Sequence, residues 1–115
     1  MPNITPLDPE TERAARAFLA RISRQYEVTG AIVYGSRARH THRSDSDADV
    51  AVLLRGSAGR FVATKLEMAD IAYDVLLETG IRVQPPPIWE EEWTHPDAYS
   101  DPRLLRNIDR EGVRL

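Results

Sequence analysis

The stretch Ala31-Ile32-Val33-Tyr34-Gly35-Ser36-Arg37-Ala38-Arg39, carried on through Ser44-Asp45-Ser46-Asp47-Ala48-Asp49 into Val50-Ala51-Val52-Leu53-Leu54, decides the fold. Ala31 to Tyr34 reads as a short buried strand that stops at Gly35. Val50 to Leu54 reads as a second strand, so Asp47 and Asp49 stand at its mouth or in its first residues. Side chains alternate along a strand, so these two carboxylates point the same way. Carboxylates so placed can share a hard cation such as magnesium, which relieves their repulsion. Gly35 lets the backbone approach a ligand closely, and Ser36 offers a hydroxyl and an amide to a phosphate oxygen. Arg37 and Arg39 add charge and fork-shaped donors. With phosphate donors on one side and metal ligands on the other, the stretch reads as a nucleoside triphosphate site.

The text GSRARHTHRSDSDADVAVLL, residues 35–54, resembles the signature of the minimal nucleotidyltransferases, relatives of DNA polymerase beta and kanamycin nucleotidyltransferase. The likeness is tight over the motif, including Ala38, Arg39 and Ser46, and looser from about Ala14 to Val83. It implies an α/β fold in which helices pack on one side of a small mixed or antiparallel sheet. It also implies that Asp47 and Asp49 hold Mg2+ while Gly35 and Ser36 cradle the β- and γ-phosphates of ATP. Arg39 would assist the phosphates or buttress the loop. Relatives commonly carry Gly where His40 stands, and a third carboxylate on the third strand. The matching position here is Gln84, whose neutral amide can donate a hydrogen bond but cannot serve as a base.

Stand-alone domains of this kind resemble the MntA-type antitoxins of bacterial toxin–antitoxin pairs, whose partner is a HEPN-domain toxin. There, AMP passes from ATP to a tyrosine of the toxin. Two other readings stand beside this one. A catalytically inactive module could neutralise such a toxin by binding alone, which Gln84 favours. A transferase acting on a small molecule of the aminoglycoside type would need a substrate-binding extension, against which the short chain argues.

At 115 residues the chain is expected to form one domain, residues 1–115, with a single core. Fifteen Lys and Arg against 18 Asp and Glu leave a formal charge of −3, and the basic residues are scattered, so no direct nucleic-acid binding is expected. With no cysteine, neither a disulfide framework nor a zinc–cysteine site is possible. Met1 to Glu10 lack the basic start and apolar core of a secretory signal, and no run approaches membrane-spanning length. A cytoplasmic location is the expectation.

In chain order, Asp8 is a suitable N-cap with Pro9 in the first helical position, and Ala15, Phe18, Leu19 and Ile22 share one face. His40 and His42 lack a third ligand of the right type nearby, so they read as exposed loop residues. A long helix is expected from Ala58 or Gly59 to Glu78, with Val62, Leu66, Ala69, Tyr73 and Leu76 as its core-facing stripe and Gly80 as its C-cap. Ile81 to Gln84 reads as a third strand cut short by Pro85-Pro86-Pro87. Glu90, Glu91 and Glu92 either replace the missing carboxylate or form the acidic first turn of a short helix. Asp101-Pro102 starts a last helix with Leu104, Leu105 and Ile108 on one side. Trp89, Trp93 and Tyr99 either cover the core edge or form an interaction surface.

Overall fold

The computed structural model describes residues 7–115. Residues 1–6, most of the segment read for a leader, lie outside that description.

Helix α1 (Pro9–Ile22) starts as its sequence dictates: the Asp8 side chain accepts the Thr11 N–H at 3.1 Å, and Pro9 needs no donor partner. Strand β1 (Val28–Tyr34) is longer than the apolar run, because the chain enters the sheet at Val28 and shifts register before Gly30. A one-turn helix, α2 (Ser36–Arg39), leads into the loop before β2 (Ala48–Leu54). Strands β1 and β2 pair antiparallel, with Tyr34 opposite Asp49.

Helix α3 (Phe61–Thr79) ends at Gly80, whose φ of 79° is open to glycine without strain and whose N–H returns to the Leu76 carbonyl at 2.8 Å. The third strand is the dipeptide β3 (Val83–Gln84), parallel to β2 with Gln84 opposite Asp49. The prolines interrupt it without ending sheet formation. The Pro86 carbonyl accepts the Val52 N–H at 3.0 Å, and β4 (Pro87–Trp89) resumes parallel pairing with β2. An edge strand tolerates proline when the missing N–H faces away from its neighbour. After α4 (Glu90–Thr94) and a 3-10 turn at Pro96–Ala98, helix α5 (Pro102–Glu111) is capped by Asp101. The chain then re-enters the sheet as β5 (Val113–Arg114), antiparallel to β1.

The result is the expected mixed α/β architecture: a five-stranded sheet in which β2 lies beside both β3 and β4, and β1 lies between β2 and β5. Alternation along β1 and β2 sorts the core into two. Ala31, Val33, Val50 and Val52 meet Phe18, Ile22, Met68 and Val75 of α1 and α3. Ile32, Ala51 and Leu53 meet Ile88, Tyr99, Leu105 and Ile108 on the other face. Each large apolar side chain fully withdrawn from water contributes about 1.5–3 kcal/mol. One-sided helix packing therefore describes α1 and α3 only. Helix α5 departs from it, because Leu105 and Ile108 need an apolar floor and the outer face of β1 and β2 supplies one. Asp49 has the parity of Ala51 and Leu53, so it opens onto this second face.

The expected stripe of α3 is overturned. Its buried residues are Thr64, Met68, Ile71, Ala72 and Val75, while Val62, Leu66 and Tyr73 face solvent. The helix is apolar on two sides, and the sheet takes the other one. Trp89 and Tyr99 are buried, one in each core, which removes them as an interaction surface; Trp93 packs only partly against the second core. No helix among the described residues is long and apolar enough to cross a membrane.

Candidate active site

The site is built where β1 and β2 end side by side. Gly35 leaves β1 with φ 75° and ψ −155°, a conformation that disfavours any side chain. Space adds to this: a Cβ there would lie 2.4 Å from Asp49 Oδ2, so any side chain would make the carboxylate swing away. The chain turns tightly after it, with the Arg39 N–H on the Gly35 carbonyl at 3.0 Å and the Thr41 N–H on the Ser36 carbonyl at 2.9 Å. His40 closes the turn at φ 60°, ψ 34°. That is the left-handed region, which accounts for the glycine common at this place in the resembling proteins.

Arg37 does not serve phosphates. It is 1% exposed, and its guanidinium donates to the Ser46 carbonyl at 2.9 and 3.0 Å, the Ser44 carbonyl at 3.3 Å and the Thr11 hydroxyl at 2.8 Å. It pins the loop immediately before Asp47 to α1, so its contribution to the site is the placement of the acids. The Thr11 hydroxyl in turn donates to Asp8 Oδ1 at 2.6 Å, and His42 Nε2 lies 3.4 Å from the same oxygen. His42 is therefore packed into the loop anchor rather than exposed. Burial raises the Asp8 carboxyl, but the Thr11 hydrogen bonds and the His42 and Arg37 charges outweigh it and hold Asp8 below its ordinary value.

Asp47 stands just before β2 and Asp49 is its second residue, both half-buried. Burial and the neighbouring Asp47 charge raise the Asp49 carboxyl; Arg39 works against the rise, and Glu111 adds to it. Burial is the leading cause of this rise, and the second carboxylate adds to it. The Tyr34 phenol opposite is raised too, by burial and then by Asp49 and Tyr99. Gln84 faces the pair: its Nε2 donates to Asp47 Oδ2 at 3.1 Å. Glu90, Glu91 and Glu92 do not replace it. Trp89 pairs with Leu54 at the far end of β2, Glu90 accepts the Gly56 N–H at 3.0 Å, and Glu92 accepts the Trp89 N–H at 3.1 Å.

Glu111, at the end of α5, was not among the residues singled out in the sequence. Its Oε2 accepts the Gly35 N–H and an Arg39 Nη1 hydrogen, each at 2.9 Å. The β1–β5 register, continued two residues past Val33 and Val113, sets Glu111 opposite Gly35. Only the pairing of a two-residue strand brings it here, so no local pattern announces it.

The sequence matches the nucleotidyltransferase domain family over residues 15–98. The chain belongs to that family. In this nucleotidyltransferase domain the matched span contains Gly35, Ser36, Asp47, Asp49 and Gln84, and ends before α5 and Glu111. Its fold is similar to the crystal structure of a Sulfolobus solfataricus protein described as a "putative nucleotidyltransferase". The TM-score is 0.56 at 16% identity, covering 99% of this chain and 89% of that one. No curated protein matches the sequence.

Nucleotidyltransferase domains generally use a divalent metal and a nucleoside triphosphate. Among the described residues, no group of three or more acids and histidines is gathered as a metal cage. The donor set nevertheless fits magnesium, which takes one or two carboxylates and completes its shell with water and substrate phosphates. The raised Asp49 carboxyl is what a cation between the two acids would reverse. A hollow of about 570 Å³ lies elsewhere, lined by Thr29, Leu53, Glu91, Trp93 and His95 at the other end of β2, and it contains none of these groups.

Proposed function

We propose that this nucleotidyltransferase domain uses Mg-ATP and transfers AMP to a hydroxyl of a partner protein, as the antitoxin of a HEPN-toxin pair. The observation that carries the nucleotide part is the meeting of Gly35 and Asp49 at the ends of paired strands, which sets phosphate donors against metal ligands. Asp47 and Asp49 would hold the magnesium, which offsets charge gathering on the phosphates. The Gly35 N–H and Ser36 would receive the β- and γ-phosphates, and Arg39 stands on the same side. An acceptor oxygen then attacks the α-phosphorus, the bond to the bridging oxygen breaks, and pyrophosphate leaves. Gln84 cannot take the hydroxyl proton, which passes to water. A missing base lowers rates by about 10²–10⁴-fold, so slow transfer is the expectation.

Delivery of the acceptor hydroxyl by another macromolecule is part of this proposal. The test is incubation of the chain with labelled ATP, magnesium and a co-encoded neighbour protein, read by intact mass. A mass increase of the neighbour by AMP units, absent with an Asp47→Asn, Asp49→Asn variant, supports the reading. A second reading rests on the Gln84–Asp47 hydrogen bond: a module that binds without transfer. Tight complex formation by both proteins with no mass change would establish it.

A further inference from the structure

Helix α3 carries a second apolar stripe that none of the other described residues covers. Val62, Leu66, Tyr73 and Leu77 are 68, 64, 59 and 69% exposed. Scattered exposed apolar residues are ordinary, but these are aligned along one helix face. Val62, Leu66, Ala69, Tyr73 and Leu76 follow one another by alternating steps of four and three residues, the 3.5-residue repeat of a seam between two helices. An occupant in the form of a helix fits that repeat.

The flanks of the stripe differ in sign. On the β3 side a groove of about 360 Å³ is lined by Lys65, Tyr73, Leu76, Arg82 and Gln84. On the α1 side the neighbouring surface is lined by Glu67, Asp70 and Asp74. Asp70, Asp74 and Arg82 enter no ion pair among the described residues. A two-fold axis along the helix direction lays the basic flank of one copy on the acidic flank of the other. A two-fold axis across the helices sets acid against acid. Lys65 precedes Asp70 by five residues, the offset at which flanking positions of parallel, in-register helices meet across a seam.

We infer that this face is the interface of a symmetric homodimer in which the two α3 helices run parallel, with Lys65 of each protomer against Asp70 of the other. A two-fold contact requires a self-complementary surface, and the apolar stripe with one basic and one acidic edge is self-complementary only in this direction. The acidic edge also opposes seating on an anionic membrane. The inference is independent of the nucleotide chemistry.

Sedimentation equilibrium of the full chain over the micromolar range tests it. The wild type is expected to dimerise, and Leu66→Glu to abolish the dimer while leaving the far-ultraviolet circular dichroism unchanged, since Leu66 lies outside the core. Lys65→Asp or Asp70→Lys alone should weaken the dimer about tenfold, because each removes two symmetric contacts and adds repulsion. The two together should restore it. A monomeric wild type overturns the inference, as does a dimer that survives Leu66→Glu. Single reversals that leave the dimer as tight as the wild type would show that Lys65 and Asp70 do not meet and overturn it equally.

Discussion

Glu111 accepts the backbone N–H of Gly35 at 2.9 Å although 76 residues separate them in the chain. The same carboxylate oxygen holds Arg39 at 2.9 Å. An acceptor oxygen already sits on donors that the family resemblance assigns to phosphate. Glu111 therefore competes with a nucleotide and also adds negative charge beside Asp49. We predict that Glu111→Gln tightens Mg-ATP binding by about tenfold, the scale of one charge-assisted hydrogen bond released for the ligand. Isothermal titration calorimetry measures it, and weaker binding would mean that Glu111 helps to hold the nucleotide.

Asp49→Asn should stabilise the metal-free protein. The raised Asp49 carboxyl means that the folded state disfavours its charged form. Its contribution to stability falls as pH rises from the ordinary carboxylate range through the raised value. Relief of such functional strain typically yields about 0.5–2 kcal/mol. Urea melts at a series of pH values should show the wild type losing ground to the variant across that window. Asp8 has the opposite sign: its lowered carboxyl stabilises the fold above the ordinary range, and this stabilisation is lost as pH falls through the lowered value.

The parts of this site that are local in the chain are legible in the sequence. Gly35, Ser36, Asp47 and Asp49 sit at two strand ends joined by one short connection, so alternation and turn chemistry suffice to bring them together. Gln84 was legible one strand away, and its amide does face Asp47. Glu111 was not, because its position depends on β5, whose two residues give no periodic signal. Arg37 was misread for a related reason: guanidinium chemistry suits phosphate and backbone carbonyls alike, and only burial distinguishes them. Helix α3 offered two apolar stripes of similar quality. Periodicity identifies a face without saying which of two faces meets the sheet.

Arg37→Lys should destabilise the fold by about 3 kcal/mol, because the ammonium cannot span the Ser44 and Ser46 carbonyls and the Thr11 hydroxyl together. The freed loop also carries Asp47, so metal-dependent nucleotide binding should weaken in the same variant. Chemical denaturation and calorimetry check the two effects. A variant that loses stability but binds Mg-ATP as the wild type does would remove the positioning role.

Gln84→Asp should place a third carboxylate against Asp47. Without metal it adds repulsion and lowers the melting temperature; with magnesium it tightens cation binding and raises any transfer rate, up to about 10²-fold if it serves as base. Thermal melts with and without magnesium distinguish this from a simple loss of the hydrogen bond, for which Gln84→Ala is the control. Equal melting shifts in both conditions would count against a metal at this position.

We propose that Asp47 and Asp49 bind magnesium together with a nucleoside triphosphate held at Gly35 and Ser36. Calorimetric titration of Mg-ATP into the wild type and into the Asp47→Asn, Asp49→Asn double variant tests it most directly, with circular dichroism to verify that both are folded. Saturable, magnesium-dependent binding is expected for the wild type, with a loss of about 100-fold or more in the double variant, as both hard ligands are removed. Equal Mg-ATP affinity in the two proteins would contradict it.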